Sequence, residues 1–325
     1  MLLLWGYRTG GGRNTDTLKE MWKRQVEFNR KFIDPNDTAK VIPHAKDMVL
    51  SMFTENTELL DAMGDWRAFR FNKPEPSKSG ILEEGVDIFK FLINTLDSFG
   101  ITSSDFFEYF ILKSEVVEQR YMWEQKLALW KTDPAVRIVA VDLDGVLANY
   151  PDNWISYVNN RLGTSFTIRD FVGTLPGGLP ISQEDHIRLK HEFRDGGYEC
   201  MWAEPTPYAK PFLEQLKNRG YRIVIMSARP YKEYKRTQAD AIEWMADHEL
   251  PYDAFLWGRD KALKLHQEAP RAIALVDDDP IAINNAAANG IQGYLVDRPY
   301  NKWLDLHSGA IRVLGLERLI QKYLG

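Results

Sequence analysis

At 325 residues the chain is longer than one average domain, so two domains are expected. Its formal net charge of −5 disfavours the binding of long nucleic acid, which needs a basic face. Cys200 is the only cysteine, which excludes an intramolecular disulfide and a thiolate-rich zinc site. The opening MLLLWGYRTGGGR has too short an apolar run for a secretory signal, and no stretch is long enough for a membrane span. We therefore expect a cytoplasmic protein without membrane contact.

The first part of the chain predicts helices only. Apolar residues recur at helical spacing between charged ones in four segments, residues 18–32, 44–63, 81–96 and 103–126. A loop rich in Pro, Lys and Ser, residues 72–80, separates the second segment from the third. Since no strand pattern occurs among them, an all-α helical bundle is predicted for residues 1–130.

The pattern changes after residue 130, where short apolar runs alternate with helical segments. These runs are RIVAVD, YRIVIMS, AFLW, AIALVD and QGYLVD, which begin at residues 137, 221, 254, 272 and 292. Uninterrupted β-branched runs between helices are typical of buried parallel strands, so residues 131–325 predict a doubly wound α/β sheet. The interval between the first two strands is too long for one crossover helix. It predicts a small helical cap at about residues 150–205.

Two carboxylates follow the first predicted strand directly, in the sequence DLDG. Asp142 and Asp144 are two positions apart, so both side chains can leave the strand on the same side. One can attack phosphorus while the other carries a proton to and from the ester oxygen. Open α/β sheets bind ligands beyond the carboxyl ends of their strands, so these residues are candidates for phosphate-ester chemistry.

Further polar side chains follow the later predicted strands. Ser227 ends the second apolar run with a hydroxyl that can bind a phosphoryl oxygen. Lys261, in the sequence GRDK, offers a cation for the charge on the equatorial oxygens. Asp277 and Asp278 follow the fourth run, and their carboxylates suit Mg²⁺. The four motifs together predict a magnesium-dependent phosphohydrolase.

This ordered set of motifs resembles the haloacid dehalogenase superfamily of phosphatases. The resemblance implies that Asp142 is the nucleophile and Asp144 the general acid/base, with the backbone carbonyl of Asp144 also on the metal. It implies that Ser227 and Lys261 contact the phosphate. The implied metal ligands are Asp142, Asp144 and Asp278. Asp277 is implied to share the role of Asp278.

A finer resemblance concerns the substrate. The segments GYECMWAEPTPYAKPFLEQL, SARP, GRDK, VDDDP and VDRPYN resemble the 5′(3′)-deoxyribonucleotidase branch of that superfamily. A polynucleotide 3′-phosphatase is the alternative, because similar segments occur there. The cap determines the substrate, and in the cap Tyr198 and Trp202 either stack on a base or pack the cap against the sheet.

Two acidic pairs stand out in the helical part. Glu55 and Glu58 are three positions apart, as are Glu84 and Asp87, so each pair shares one face of a helix. If the two helices pack side by side, four carboxylates converge, and Mg²⁺ between them would make a site for a polyphosphate. Two solvated acidic faces are the alternative.

The segments ELLDAMGDWRAFRF and EEGVDIFKFLIN resemble the all-α nucleoside triphosphate pyrophosphatases of the MazG and dimeric dUTPase superfamily. The resemblance implies that the four acidic residues bind the metal. It also implies that Gln25 and Asn29 approach the base and that Lys113 and Arg120 contact the phosphates. A homodimer that forms through the helical domain is implied as well.

Two features depart from the dUTPase branch. Val117 stands where that branch usually has Asn, and the segment around Trp66 has fewer aromatic residues and lysines than usual. The departures leave another deoxynucleotide, such as dCTP, as an alternative to dUTP. Lys113 and Arg120 are seven positions apart on one helix, and plain solvated side chains are their alternative reading.

Together the two parts predict a bifunctional Mg²⁺-dependent nucleotide hydrolase. The first part would cut a deoxynucleoside triphosphate, with dUTP favoured, into monophosphate and pyrophosphate. The second would remove the remaining phosphate through an aspartyl-phosphate intermediate. The alternative is a phosphatase that acts on nucleic-acid 3′ ends, with the helical domain as a non-catalytic dimerisation scaffold.

Overall fold

The computed structural model describes residues 14–64, 75–172, 178–302 and 304–322. The opening segment and the segment around Trp66, which the sequence interpretation used, lie outside these residues. The chain divides into two compact units, Met1–Leu112 and Lys113–Gly325. The sequence placed the boundary near residue 130, and that boundary stays a prediction.

The first unit is helical, as predicted. Its helices are α1 (Asn14–Asn29), α2 (Thr38–Met63), α3 (Lys78–Ser98) and the beginning of α4 (Ser103–Thr132). The hydroxyl of Ser77 caps α3 by accepting a hydrogen bond from the backbone N–H of Gly80. α2 and α3 pack along each other, and the few buried apolar residues around them include Ala45 and Ile93. This pairing decides which acidic side chains can meet.

The second unit is built on one parallel sheet, which confirms the predicted α/β fold. Within the described residues its strands are β1 (Ile138–Asp142), β2 (Arg222–Ser227), β3 (Ala254–Trp257), β4 (Ala272–Asp277), β5 (Gln292–Val296) and β6 (Ala310–Val313). Their order is β3-β2-β1-β4-β5-β6, and every neighbouring pair is parallel. The order changes direction at β1, and β1 and β4 lie side by side in the middle of the sheet. This is the position where doubly wound sheets bind ligands.

Helices cover the sheet and extend the second unit. They are α5 (Asp152–Leu162), α6 (Gln183–Asp195), α7 (Tyr198–Met201), α8 (Ala209–Asn218), α9 (Thr237–Asp247), α10 (Lys261–Glu268), α11 (Pro280–Ala288) and α12 (Leu316–Lys322). The core under the sheet consists mainly of the uninterrupted apolar strands, and β1 is buried along its whole length. Such strands cannot face water on either side, as the sequence pattern implied.

The segment between β1 and β2 forms a cap with its own apolar core. Trp154 and Tyr157 of α5 pack against Leu189 and Phe193 of α6, and all four side chains are almost completely buried. The cap is therefore a separately packed layer and not a long loop. None of the described helices is both long and apolar enough to cross a membrane. The cytoplasmic location stays a prediction.

Candidate active sites

The DLDG turn places two carboxylates at the carboxyl end of β1. Asp142 is the last residue of the strand, and the chain then closes a tight turn in which the N–H groups of Leu147 and Ala148 both donate to the carbonyl of Leu143. Gly145 has φ +77°, and a Cβ there would collide with the carboxylate of Asp278. Glycine is needed at this position because two acidic loops approach each other closely.

Three carboxylates converge from the ends of β1 and β4. Asp142, Asp277 and Asp278 each offer an oxygen within 4.8 Å of the others. Burial, followed by the charge of Asp277, raises the pKa of Asp142 well above its usual range and that of Asp278 to about 7. Hard oxygen donors that repel one another fit a small divalent cation, which would relieve the repulsion.

Lys261 bridges two of these carboxylates. Its Nζ lies 2.6 Å from Oδ1 of Asp142 and 2.7 Å from Oδ2 of Asp277, and the side chain is only 5% exposed. Burial opposes the charge of Lys261, but the two aspartates raise its pKa above the usual range. Lys261 begins α10, whose first turn Asp260 caps. The ammonium group is therefore fixed beside Asp142.

Asp144 faces a different partner. The guanidinium of Arg229 donates from Nε to Oδ2 of Asp144 at 2.8 Å and from Nη2 to Oδ1 at 2.7 Å. Burial alone would raise the pKa of Asp144, but the charge and hydrogen bonds of Arg229 outweigh it and lower the pKa. Arg229 also donates to the Sγ atom of Cys200 and lies 3.8 Å from Glu199. The carboxylate of Asp144 is thus held ionised by a buried two-point contact.

A cavity of about 370 Å³ opens above these groups. Asp142, Asp144 and Asp278 line it from the sheet side, and Lys190 and Arg194 line it from the cap. This volume is in the range of small-molecule sites. The cavity is large enough for a small ligand, and its floor carries carboxylates. This arrangement suits the hydrolysis of a phosphate ester.

The other residues implied for this site lie farther from the cavity or elsewhere. Ser227 is fully buried at the end of β2, and Ala228 and Arg229 form the cavity wall beside it. Tyr198 and Trp202 pack on Tyr157, with ring centroids 5.3 and 5.5 Å away, and neither lines the cavity. Their position matches packing of the cap and not base stacking.

A second acidic cluster lies between α2 and α3 of the helical unit. Glu55, Glu58 and Glu84 each offer an oxygen within 4.8 Å of the others. Desolvation, then the charge of Glu58, and then a hydrogen bond that protonated Glu84 donates to Glu55 raise the pKa of Glu84. Asp87, the fourth ligand implied by the resemblance, is not in this cluster and instead accepts a hydrogen bond from Lys90 at 2.8 Å. The helices bring together three of the four acids.

Gln25 and Asn29 lie on α1 and contact the other helices of the unit. The amide of Gln25 donates to Oδ1 of Asn94 on α3 at 2.9 Å, and Oδ1 of Asn29 lies 3.0 Å from Nε2 of His44 on α2. Asn29 is 2% exposed, and its Nδ2 has no hydrogen-bond partner among the described residues. A buried amide donor without a partner can serve a ligand.

Lys113 and Arg120 lie on α4, in the part of the chain that belongs to the second unit. Both residues are exposed, and Arg120 lies 3.8 Å from Glu124 one turn further on. The resemblance implies that both residues contact phosphate, and that contact stays a prediction.

Several polar residues of the cavity were not identified from the sequence. Arg229, Lys190, Arg194 and Glu199 all line it. Arg229 stands two positions after Ser227, just past the end of a predicted strand, and that position was a usable signal. The cap residues carried no such signal, because charged residues on a helix usually face water.

Two family models match the chain. Residues 136–314, more than half of the chain, match the model described as 5′ nucleotidase, deoxy (pyrimidine), cytosolic type C protein. Residues 17–140 match the model described as dUTPase. These matches confirm the two resemblances inferred from the sequence motifs.

Solved structures resemble the chain over slightly more than half of its length. A predicted phosphoglycolate phosphatase from Haemophilus somnus is 17% identical, with a TM-score of 0.42 over 58% of this chain and 98% of its own. A predicted phosphatase from Clostridium acetobutylicum is 16% identical, with the same TM-score over 58% of this chain and 98% of its own. No curated protein matches the sequence. Nothing about the substrate follows from likenesses at this level.

Proposed function

Because the chain belongs to the 5′ nucleotidase, deoxy (pyrimidine), cytosolic type C protein family, we propose that its second unit removes the phosphate from a deoxynucleoside monophosphate with the help of Mg²⁺. The chain is a hydrolase that joins this phosphatase to a dUTPase-like nucleoside triphosphate hydrolase. The observation that carries the proposal is the buried contact of Lys261 with Asp142 at the floor of the cavity.

The carboxylates fit Mg²⁺ in number and in chemistry. Asp142, Asp277 and Asp278 would hold the ion together with the backbone carbonyl of Asp144. When bound, it supplies positive charge at the phosphate oxygens. Lys261 adds a fixed positive charge beside Asp142, where the equatorial oxygens of the phosphate gather negative charge.

In the first step an Oδ atom of Asp142 attacks the phosphorus, forming an aspartyl-phosphate bond while the bond from phosphorus to the ester oxygen breaks. Asp144 donates its proton to the departing oxygen, which leaves as the nucleoside hydroxyl. In the second step water attacks the phosphorus of the aspartyl phosphate and Asp144 accepts its proton, while the bond from phosphorus to the Oδ atom of Asp142 breaks, which releases inorganic phosphate and restores the carboxylate of Asp142. The ionised form that Arg229 stabilises is the form that the second step requires.

The helical unit supplies the earlier reaction in this proposal. Water attacks the α-phosphorus of a deoxynucleoside triphosphate, and the bond from the α-phosphorus to the bridging oxygen breaks and releases pyrophosphate. Glu55, Glu58 and Glu84 would hold Mg²⁺, and a carboxylate oxygen of this cluster would accept the proton of the attacking water. The unpaired amide of Asn29, with Gln25 beside it on α1, would bind a base carbonyl.

The substrate favoured for the helical unit is dUTP, which would leave dUMP for the phosphatase. The match to the dUTPase model supports this choice, and dCTP is the alternative that Val117 leaves open. The two reactions in series would convert a triphosphate into a nucleoside and prevent its direct re-phosphorylation to the triphosphate.

The helical unit also supports a homodimer. Large apolar side chains of α2 and of the turn that follows α1 are exposed in the single chain, among them Phe53 at 69% and Leu50 at 64% on α2 and Phe32 at 69% in the turn. Exposed apolar patches commonly mark interfaces between proteins. A second copy of the chain would cover them, and light scattering of the purified protein would give twice the monomer mass of 37.6 kDa.

A nucleotide screen tests the proposal. The common ribo- and deoxynucleoside triphosphates are incubated with Mg²⁺ and the protein, and pyrophosphate and orthophosphate are measured separately. We expect the double variant Glu55→Gln/Glu58→Gln to lose pyrophosphate release by at least 100-fold while it still dephosphorylates added dUMP. Glu83→Gln is the matched control, since Glu83 neighbours Glu84 but lies outside the cluster.

Unchanged pyrophosphate release by the double variant would remove the helical unit from catalysis and leave it a scaffold. Failure of the wild type to release orthophosphate from any nucleoside monophosphate would overturn the phosphatase assignment.

A further inference from the structure

Two cations of the cap face the catalytic carboxylates across the cavity. Lys190 and Arg194 lie four positions apart on α6, so both project from the same side of that helix. Both line the cavity that Asp142 and Asp144 line from the sheet side. Neither is used by the mechanism proposed above.

These two side chains hold buried nitrogen atoms that lack hydrogen bonds. The Nζ atom of Lys190 and the Nε atom of Arg194 are inaccessible to solvent and have no hydrogen-bond partner in the described parts of the chain. Lys190 Nζ lies 4.1 Å from the ring centroid of Trp154 and 5.2 Å from those of Tyr150 and Phe193. Aromatic faces attract a cation, but they leave its N–H groups without acceptors.

The charges around the cavity are divided between its two ends. On the sheet side, Lys261 is the cation placed among three converging carboxylates, Asp142, Asp277 and Asp278. On the cap side, Lys190 and Arg194 face one carboxylate of the cap, Glu199, which lies 3.7 Å from Arg194 and 3.8 Å from Arg229. Arg229, just past the end of β2, is itself bound to Asp144. The cap end therefore has a surplus of positive charge.

We propose that Lys190 and Arg194 form a subsite for a second phosphate group of the substrate, so that the phosphatase favours a nucleoside bisphosphate over a monophosphate. The proposal rests on the phosphomonoesterase activity proposed above and specifies its substrate class. The phosphate that is cleaved lies at the acidic end with Asp142. The second phosphate lies at the basic end and gives the unpaired N–H groups their acceptors. A monophosphate remains a substrate, because it still reaches the acidic end.

An anion fits this end better than a neutral group does. Desolvation, together with the nearby charge of Arg194, lowers the pKa of Lys190 to about 8 despite the opposing charge of Glu199. A base carbonyl could accept one hydrogen bond but would leave the positive charge uncompensated. A phosphate accepts several hydrogen bonds and neutralises the charge, and contacts between Arg or Lys and phosphate are among the strong ones.

The experiment compares three substrates that share one scissile group. They are deoxyuridine 5′-monophosphate, deoxyuridine 3′,5′-bisphosphate, and a dinucleotide that carries a 5′-phosphate and an internal phosphodiester. The proposal predicts that kcat/KM for release of the 5′-phosphate is at least tenfold higher for the bisphosphate than for the monophosphate. A preference for the dinucleotide over the bisphosphate would assign the subsite to a nucleic-acid end. Equal values for all three would overturn the proposal.

Two variants connect that preference to the named residues. Lys190→Met keeps a long side chain on Trp154 and removes the charge, and Arg194→Gln keeps polarity at the second position. We expect each to lower the ratio of kcat/KM for bisphosphate to monophosphate about tenfold. Arg188→Gln is the matched control, because Arg188 lies on the same helix but is exposed and paired with Asp185. It should leave the ratio unchanged.

Further outcomes distinguish the two levels of the claim. A wild type that hydrolyses neither monophosphate nor bisphosphate contradicts the phosphatase assignment itself. A wild type that hydrolyses both with equal efficiency contradicts only the subsite. The wild-type comparison needs no variant to fold, and the midpoint of thermal unfolding verifies that each variant is folded.

Discussion

The contact between Arg229 and Asp144 lowers the pKa of Asp144, the residue that we propose both gives and takes a proton. Arg229 binds both carboxylate oxygens of Asp144, and the pKa of Asp144 is lowered. This favours Asp144 as the base of the second step and opposes it as the acid of the first. Arg229 therefore fixes the position of Asp144 but makes it a weaker proton donor at the working pH, because a good general acid has a pKa near that pH.

Replacement of Arg229 by lysine tests this balance. Arg229→Lys keeps a charge but loses the two-point contact, so the pKa of Asp144 rises. We expect the basic limb of the pH profile of kcat/KM to move to higher pH and kcat to fall about tenfold. Arg236→Lys is the control, because the exposed Arg236 pairs with Asp240 four positions away and does not contact Asp144. An unchanged pH profile in Arg229→Lys would show that Arg229 does not set the protonation of Asp144.

Lys190 makes the stability of the ligand-free protein depend on pH. Its pKa of about 8 in the folded state lies below the usual value of about 10.4, so the unfolded chain binds more protons between these limits. The free energy of unfolding of the wild type should therefore rise with pH from about 8 to 10, relative to Lys190→Met. Glu199, Arg194, Asp144 and Arg229 are the charged groups nearby. Urea unfolding at both pH values measures the effect, and a constant difference between the two proteins would contradict it.

The acidic loops at the strand ends act together through the metal that they would bind. Mg²⁺ at 100 times its dissociation constant would add about 2.7 kcal/mol to the free energy of unfolding, which corresponds to roughly 5–10 °C in the Tm of a domain of this size. We expect the transition of the α/β unit to shift upward with Mg²⁺ in the wild type. In Asp278→Asn the shift should be much smaller. The exposed Asp195 supplies the control Asp195→Asn, and an equal shift in both variants would remove Asp278 from the metal site.

The elements that could be predicted from the sequence are the central strands, whose apolar pattern follows from burial on both faces of the sheet. β1 and β4 are uninterrupted apolar runs because both faces of the sheet are covered, and an Asp directly after such a run falls at the ligand-binding edge. β6 was missed because it is four residues long and mostly only half-buried, so its pattern resembles a loop. Short edge strands leave a weak signal in any sequence.

Side chains that depend on contacts distant in sequence could not be predicted. Arg229 meets Asp144 across 85 positions, and no spacing rule connects them. Lys190 is buried by Trp154 of another helix, while its own helix presents it as an ordinary charged residue. Asp87 follows the i, i+3 rule with Glu84, but Lys90 three positions on binds it instead. Periodicity predicts which face of a helix a residue occupies, but it does not predict which side chain that residue contacts.

At the scale of the whole molecule, one chain joins a phosphatase unit to a dUTPase-like nucleoside triphosphate hydrolase unit. Residues 17–140 and 136–314 match separate family models, and the two matched ranges overlap at residues 136–140. Composition changes near residue 130, whereas the compact units divide after Leu112, within helix α4. The sequence could not locate that division, because one continuous helical pattern crosses it.

The central claim is that two catalysts act in series, the helical unit on the triphosphate and the α/β unit on its product. The most direct measurement follows dUTP, dUMP and deoxyuridine over time with Mg²⁺ for the wild type and for Asp142→Asn, which removes the nucleophile and leaves the helical unit intact. We predict that the wild type converts dUTP to deoxyuridine with release of pyrophosphate and orthophosphate, and that Asp142→Asn stops at dUMP with undiminished pyrophosphate. If Asp142→Asn still forms deoxyuridine, or if neither protein releases pyrophosphate from any nucleotide, the series of two active sites is contradicted.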